Sequence, residues 1–153
     1  MRYLTMAIAV AVTLVAAPRT GAAQATAKVE RQDVPVSMEL SDVCNDEIIT
    51  LSGYVAVTTR TTVDGQGVTH VSINTVPHVS GSSPSADYTL NGADREHNTI
   101  DEDGTTVQSV TSSFVLIGQG KAPNYKEKFN AHLIYYPDGS LGVQFFHTRF
   151  GCV

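Results

Sequence analysis

Apolar and polar residues alternate along most of this chain, and that period of two constrains the fold more than any other feature. Between residues 49 and 57 the apolar side chains of Ile49, Leu51, Val55 and Val57 fall at odd positions. The run Thr58–Val63 then continues with β-branched residues, which favour extended backbone. A period of two is typical of a strand with one buried face. The pattern predicts a long strand over residues 48–62.

The same alternation predicts seven strands, separated by turns rich in Gly, Pro, Asp and Ser. The expected strands are 34–40, 48–62, 68–76, a weaker one around 88–90, 105–118, 127–135 and 141–149. Residues 77–85 are expected to form a loop. Consecutive hairpins of this number protect their edges by closing into a barrel or folding into a sandwich. We therefore expect an all-β fold, an antiparallel up-and-down barrel (calycin-like) of seven to eight strands, with a sandwich as the alternative.

The last hairpin allows a register to be predicted. Residues 136–139, Tyr-Pro-Asp-Gly, fit a type I turn followed by a bulge, and this turn would pair Tyr136 with Ser140. The facing pairs that follow are Tyr135/Leu141, Leu133/Val143, Ala131/Phe145, Phe129/His147 and Glu127/Arg149. In that register one face is apolar and has an opposite-charge pair at its far end.

A ligand site, if the barrel is hollow, is therefore expected on that face of the hairpin. Aromatic walls with a few polar groups at one end are typical of small-ligand cavities. The residues expected to form it are Glu127, Phe129, Tyr135, Phe145, His147 and Arg149. The alternative is a barrel filled by its own side chains, with Glu127 and Arg149 paired at the rim and His147 hydrogen-bonded in the core.

The first 25 residues match the three-part pattern of a secretory signal. A positive start is followed by an apolar run from Met6 to Ala17 and by small residues over 21–25. The apolar run is too short to span the hydrocarbon core of a membrane. We expect a signal peptide over 1–25, a flexible tether over 26–33 and a single barrel domain over 34–153, in a protein that is secreted or periplasmic.

The charge balance bears on the partners. The expected leader carries Arg2 and Arg19 and no acid, so 8 basic and 15 acidic residues would remain, a net charge of about −7. An acidic domain without a run of Lys or Arg is a poor nucleic-acid binder, because phosphate binding requires clustered positive charge. No apolar segment after the leader reaches membrane-spanning length. We expect a small-molecule ligand or an exported protein as partner, no nucleic acid, and no membrane span.

Cys44 and Cys152 are the two cysteines of the chain. An oxidising compartment favours their pairing. A zinc site is a poorer interpretation, since neither cysteine belongs to a CxxC pair or stands near a histidine pair. We expect a disulfide.

Patterns of catalytic or metal-binding residues are weak. The chain has no GxSxG nucleophile elbow, and its five histidines show no HxH or HExxH spacing. The acidic turn Asp101-Glu102-Asp103 lacks the spaced oxygen ligands of a calcium loop. We expect no catalytic residue, metal or cofactor, and an enzyme is the least favoured class.

Several segments resemble a known family. They are Val43-Cys44-Asn45-Asp46-Glu47, Thr50-Leu51-Ser52-Gly53, Leu116-Ile117-Gly118-Gln119-Gly120 and the cysteine close to the terminus. In these segments the chain resembles a family of small exported bacterial all-β proteins with no assigned function. The resemblance covers most of the chain after the leader and implies no mechanism.

Two functions follow from these observations. One is a binding module that holds a small apolar or amphipathic ligand in the barrel mouth. The other is a structural or protein-interaction module, such as an inhibitor of an exported enzyme, with a filled barrel. The packing of the interior distinguishes them.

Overall fold

The computed structural model describes residues 26–42 and 44–153, and these form one antiparallel sheet. Its strands are β1 (Thr26–Asp42), β2 (Glu47–Val63), β3 (Thr69–Ser82), β4 (Asp87–Ile100), β5 (Thr106–Gly118), β6 (Tyr125–Tyr135) and β7 (Leu141–Cys152). Each strand pairs with its neighbour in sequence, in the order β1 to β7. The expected all-β, up-and-down architecture is confirmed. The expected signal peptide, 1–25, lies outside the described residues.

The sheet is open. β1 and β7 are its two edges, and no strand ladder joins them in the described part of the chain. Closure into a barrel is therefore not confirmed. Over the same residues, no helix is long and apolar enough to cross a membrane.

A disulfide links the two sides of the sheet at one end. Because the strands run alternately up and down, the β1–β2 turn and the end of β7 lie at the same end. There Cys44 and Cys152 are bonded, with their Cα atoms 5.8 Å apart. The expected disulfide is thus present, and we call this the disulfide end.

The buried core lies near the disulfide end, on one face of the sheet. Its members are the large side chains that one face of β2, β3, β4 and β5 contributes: Ile49, Leu51, Val55, Val79, Tyr88 and Leu116. We call this side of the sheet the core face and the opposite side the outer face. Because facing residues of paired strands share a face, the strand register assigns every strand residue to one of the two.

The expected tether is wrong, because residues 26–33 form the first half of β1. Thr26 faces Val63, and the pairing continues without a break to Asp33, which faces Ala56. The β-branched run at the end of β2 presents a long, extended edge, and this edge is the partner of residues 26–33.

The expected loop over residues 77–85 is also shorter than predicted. β3 continues to Ser82, and Pro77 faces Val55 of β2. On its other side, the ladder between β3 and β4 is interrupted from Val76 to His78. A proline has no N–H to donate, so it fits at a point where the ladder is broken.

Candidate functional site

The turn of the last hairpin is as expected. The N–H of Tyr136 donates to the Ser140 carbonyl at 3.0 Å, and the N–H of Gly139 donates to the Tyr136 carbonyl at 2.9 Å. Gly139 has a φ of 83°, a conformation in which glycine is favoured. The first predicted pairs, Tyr135/Leu141 and Leu133/Val143, are confirmed.

A β-bulge then changes the register. It lies between Leu133 and His132, where the facing residue in β7 jumps from Val143 to Phe145. One extra residue in β7 shifts every later pair by one and turns the following side chains to the other face. The predicted pairs Ala131/Phe145, Phe129/His147 and Glu127/Arg149 are therefore wrong. The observed pairs are Ala131/Phe146, Phe129/Thr148 and Glu127/Phe150.

The shift divides the predicted ligand site between the two faces. The β6 residues Glu127, Phe129 and Tyr135 lie on the core face. The β7 residues lie on the outer face and are exposed: Phe145, His147 and Arg149. There the Phe145 ring stacks on His132, with ring centroids 6.2 Å apart. The predicted Glu127–Arg149 pair and a core position for His147 are both wrong.

Arg149 instead contacts its neighbour on the same face of β7. Its Nε donates to His147 Nε2 at 2.8 Å. This contact joins two exposed side chains and leaves both of them open to solvent.

The bulge brings two other aromatic residues to the core face of β7. Phe146 is 61% exposed and Phe150 is 58% exposed. Phe146 makes an edge-to-face contact with Phe129, with ring centroids 4.9 Å apart. Sequence reasoning missed both residues because a bulge leaves no mark in the alternation of a single strand. The adjacent pair Phe145-Phe146 was the available signal, since it fits either register.

One side of β7 faces away from β6, and none of the described strands β1 to β6 pairs with that side. Asn124 and Val153 exchange two backbone hydrogen bonds, at 3.2 and 2.9 Å. In an antiparallel ladder such exchanging pairs recur at every second residue. The N–H and C=O groups of Phe146, Thr148 and Phe150, which have the opposite parity, therefore point away from β6.

The other edge of the sheet has different chemistry. In β1, Lys28 Nζ and Glu30 Oε1 form an ion pair at 2.6 Å, and Pro35 interrupts the row of donors. Charged side chains and proline are features that protect an edge from pairing with another chain. The β7 edge, with its exposed phenylalanine side chains, and the β1 edge, with its charged side chains and proline, therefore lie on opposite sides of the sheet.

Away from the core, the core face holds a polar network. Glu96 Oε1 accepts from Asn98 Nδ2 at 2.6 Å and from Gln108 Nε2 at 2.7 Å. The Tyr135 hydroxyl donates to Gln108 Oε1 at 3.3 Å. The network joins β4, β5 and β6 across the half of the core face that lies away from the disulfide end.

Asp94 adjoins this network and has a perturbed carboxyl group. Burial raises the pKa of Asp94, a hydrogen bond with Ser112 opposes the rise, and the Glu96 charge adds to it. The buried Oδ1 atoms of Asp94 and Asn98 have no hydrogen-bond partner within the described part of the chain. Buried acceptors without a donor are costly and mark a place where a ligand donor would be favoured.

No metal site stands out among residues 26–42 and 44–153, where no group of three His, Cys, Asp or Glu side chains is placed to hold an ion. Comparison of the chain with protein-family models, curated proteins and solved structures gives no match.

Proposed function

We propose that the protein is an exported binding module that holds a small amphipathic ligand, with an amine head group, on the core face of its sheet. The observation that carries the proposal is that two buried oxygen atoms, Asp94 Oδ1 and Asn98 Oδ1, have no hydrogen-bond donor within the described residues. A buried acceptor without a donor costs free energy, which an N–H of a ligand would recover. The disulfide is compatible with an oxidising compartment and supports the export part of the proposal.

The core face is the concave side of the sheet. In a flat sheet, six strand spacings would place β1 and β7 roughly 29 Å apart. The Cα atoms of Cys44, in the turn after β1, and Cys152, in β7, are 5.8 Å apart, so the sheet curls. Ile49 and Leu51 on the core face are completely buried, whereas Ile48 on the outer face is exposed. This curvature supports a barrel-like enclosure with the core face inside.

The two halves of this enclosure differ in packing. Near the disulfide end Ile49, Leu51 and Tyr88 are almost completely buried, so that half is filled by its own side chains. In the other half, partly exposed side chains lie in one cross-strand row: Asp94, Ser112 and Phe129. The ligand is therefore placed in the half that lies away from the disulfide.

The charge of the core face favours a protonated amine as the head group. Asp94 and Glu96 are consecutive core-face residues of β4. Burial, followed by the Glu96 charge, raises the pKa of Asp94. A cation at this place would offset both effects, and its N–H groups would donate to the carboxylate oxygens. An anionic head group would be repelled by both residues.

Aromatic rings near Asp94 offer a surface for the apolar part of the ligand. Phe129 lies two strands from Asp94 in the same row, and its ring makes the edge-to-face contact with Phe146. In the adjacent row the ring of Phe114 lies over Gly92, where a Cβ would be 2.6 Å from Phe114 Cδ1. Phe146 is largely exposed, so a ligand that covered its ring would remove apolar surface from water. A head group at Asp94 would therefore have apolar surface beside it.

The experiment is a calorimetric titration of the full chain with octylammonium at pH 7, below the concentration at which this amphiphile forms micelles. Octanol and octanoate, which carry a neutral and an anionic head group, are titrated in parallel. Because a cationic donor makes the strongest hydrogen bonds to a carboxylate, we expect the affinity to fall in the order octylammonium, octanol, octanoate. Tighter binding of octanoate, or no binding of any of the three, would contradict the proposal.

Matched charge variants locate the head group. Asp94→Asn should weaken octylammonium binding roughly tenfold or more, the loss expected for a charge-assisted hydrogen bond. Asp87→Asn removes the same charge from the outer face of the same strand and should leave the affinity within about twofold. Melting curves of both variants show whether the fold is retained. Equal weakening by the two variants would show that the amine does not bind at Asp94.

Two adjacent phenylalanines locate the apolar part of the ligand. Phe146→Ala removes a ring from the core face and should weaken the binding of octylammonium and of octanol alike. Phe145→Ala removes the neighbouring ring from the outer face and should leave both affinities unchanged. The reverse order of effects would place the apolar part on the outer face.

Native mass spectrometry of protein purified from its own host addresses the natural ligand. We expect a retained small molecule that is released when the protein is denatured. A retained polypeptide, together with no binding of octylammonium, would favour the interaction module instead.

A further inference from the structure

Charged side chains are segregated between the two faces of the sheet. Of the eight Lys and Arg residues in 26–153, six lie on the outer face: Arg31, Arg60, Arg95, Lys126, Lys128 and Arg149. All five histidines lie there as well: His70, His78, His97, His132 and His147. Among the strand residues whose side chains the structure describes, five carboxylates occupy the core face: Glu30, Glu47, Asp94, Glu96 and Glu127. An acidic protein thus has one basic surface.

Six of these eleven basic groups lie in two adjacent rows that cross all seven strands. The lower basic row consists of Val29, Arg60, Ser72, His97, Ser109, His132 and Phe145. The upper basic row consists of Arg31, Thr58, Asn74, Arg95, Thr111, Asn130 and His147. Neither row contains an acidic residue. The outer-face acids of the strands, Asp33, Glu39 and Asp87, lie outside both rows.

A groove of about 390 Å³ lies where the two rows cross β2, β3 and β4. Arg60, Arg95 and His97 line it together with Ser72 and Asn74, and the lining also includes the apolar Ile73 and one acidic residue, Glu96. The two arginines are exposed, and neither forms an ion pair with another described residue. Free guanidinium groups beside hydroxyl and amide donors are suited to carboxylate and sulfate groups.

We propose that the basic rows bind an acidic polysaccharide that carries charge on alternate sugar units. In the lower basic row, Arg60, His97 and His132 stand on β2, β4 and β6, so neighbouring basic side chains are roughly 10 Å apart across the sheet. Ser72 and Ser109 stand on the strands between them. Basic and hydroxyl side chains therefore alternate along the row, in the same order as the charged and neutral sugars of such a polymer.

Hydrogen bonds within the row hold the side chains in this order. Ser72 Oγ and His97 Nδ1 are 3.1 Å apart, and Ser109 Oγ and His132 Nδ1 are 2.8 Å apart. Each serine thus orients the imidazole on the next strand.

A nucleic acid fits the same rows less well. Single strands bind through aromatic platforms on which successive bases stack. The one Phe, Tyr or Trp ring in the two rows is Phe145, at the β7 edge, where it already stacks on His132. Phosphates would also place a charge at every unit of the polymer instead of every second one.

The test is a calorimetric titration of the full chain at low salt with hyaluronan oligosaccharides. These oligosaccharides carry a carboxylate on every second sugar. Neutral dextran and a single-stranded oligodeoxynucleotide of equal charge are titrated in parallel. We expect binding of hyaluronan that weakens with added salt, and no binding of dextran.

Matched charge variants locate the site. Arg60→Gln/Arg95→Gln should weaken hyaluronan binding by roughly tenfold or more, the loss expected for charge-assisted hydrogen bonds. Lys28→Gln/Lys121→Gln makes the same change in net charge away from the rows and should leave the affinity within about twofold. Melting curves of both variants show whether the fold is retained. Equal weakening by the two variants, tighter binding of the oligodeoxynucleotide, or no binding of hyaluronan would each overturn the proposal.

Discussion

Ile48 and Ile49 are adjacent and chemically identical, yet Ile48 is 59% exposed on the outer face and Ile49 is fully buried on the core face. A comparison of substitutions at these two positions therefore measures how much burial on the core face contributes to the free energy of unfolding. Ile49→Ala should lower the free energy of unfolding by about 2–5 kcal/mol, because it leaves a cavity beside Leu51 and Tyr88. Chemical denaturation of the purified variant measures the change.

Ile48→Ala is the matched control for that variant. It removes the same atoms from an exposed position, so the change in unfolding free energy should stay within about 0.5 kcal/mol. Similar losses from both substitutions would contradict the assignment of the two faces.

Gly53 lies where β2 approaches β3 too closely for a side chain. A Cβ at this position would lie 2.2 Å from the carbonyl oxygen of His78, and the φ of Gly53 is 149°. Gly53→Ala should therefore destabilise the protein by more than 1 kcal/mol. Gly151→Ala is the control, since a Cβ there would meet nothing within 4 Å. Thermal melts of the two variants that coincide would show that the close approach is absent.

Asp94→Asn should raise the melting temperature at pH 7. Because burial raises the pKa of Asp94, the folded state favours the protonated carboxyl. The stability linked to that proton is fully present below the ordinary aspartate pKa of about 3.9 and is lost as the pH rises through the folded pKa. The advantage of asparagine should therefore shrink toward pH 3. Melting curves of both proteins across this range test the prediction, and a constant difference at all pH values would contradict it.

Asp138→Asn should show the opposite sign. Hydrogen bonds from the Ser140 side chain and from its backbone N–H, the latter at 2.8 Å, lower the pKa of Asp138. Stability linked to this carboxylate is present above the ordinary pKa and is lost as the pH falls through the folded value. The variant should melt below the parent at pH 7 and approach it in acid. Melts at pH 7 and pH 3 suffice, and a higher melting temperature at pH 7 would refute the turn geometry.

Removal of the disulfide should destabilise the protein strongly. Cys44 and Cys152 are 108 positions apart, for which the chain-entropy model gives roughly 4–5 kcal/mol. Cys44→Ser/Cys152→Ser should therefore melt well below the parent. Alkylation of native protein without reductant, followed by intact-mass measurement, should find no free thiol. Two alkylated cysteines would show that the bond is not formed.

The strands could be predicted from the sequence, whereas the edges of the sheet could not. Alternation in Ile49–Val57 and the Pro137–Gly139 turn identify a local pattern that each segment carries by itself. Residues 26–33 have little such pattern, and they become a strand because β2 presents a long edge to them. Closure of the sheet would likewise require pairing between β1 and β7, and no local sequence pattern determines whether these two strands pair.

The prediction of the candidate site was wrong because the register of the last hairpin changes at one residue. Leu133/Val143 is correct and His132/Phe145 is shifted, so a single bulge moved Phe145, His147 and Arg149 to the outer face. Charge segregation, by contrast, had a signal in the sequence: Lys126-Glu127-Lys128 alternates in sign, which in a strand separates the two charges. The arrangement of the basic residues in rows across seven strands could not be predicted from the sequence, because it depends on the register of every pair of strands.

The bond between Cys44 and Cys152 also sets the mechanical behaviour of the molecule. A pulling force applied between Thr26 and Val153 passes along β1, which is already extended, and crosses directly to the far terminus through the sulfur atoms. β2 to β7 lie outside this load path, so the oxidised protein is a short and nearly inextensible link. After reduction, the force would instead pass through the chain between Cys44 and Cys152, which are 108 positions apart. If this part of the chain were fully extended, the molecule would lengthen by roughly 350–390 Å.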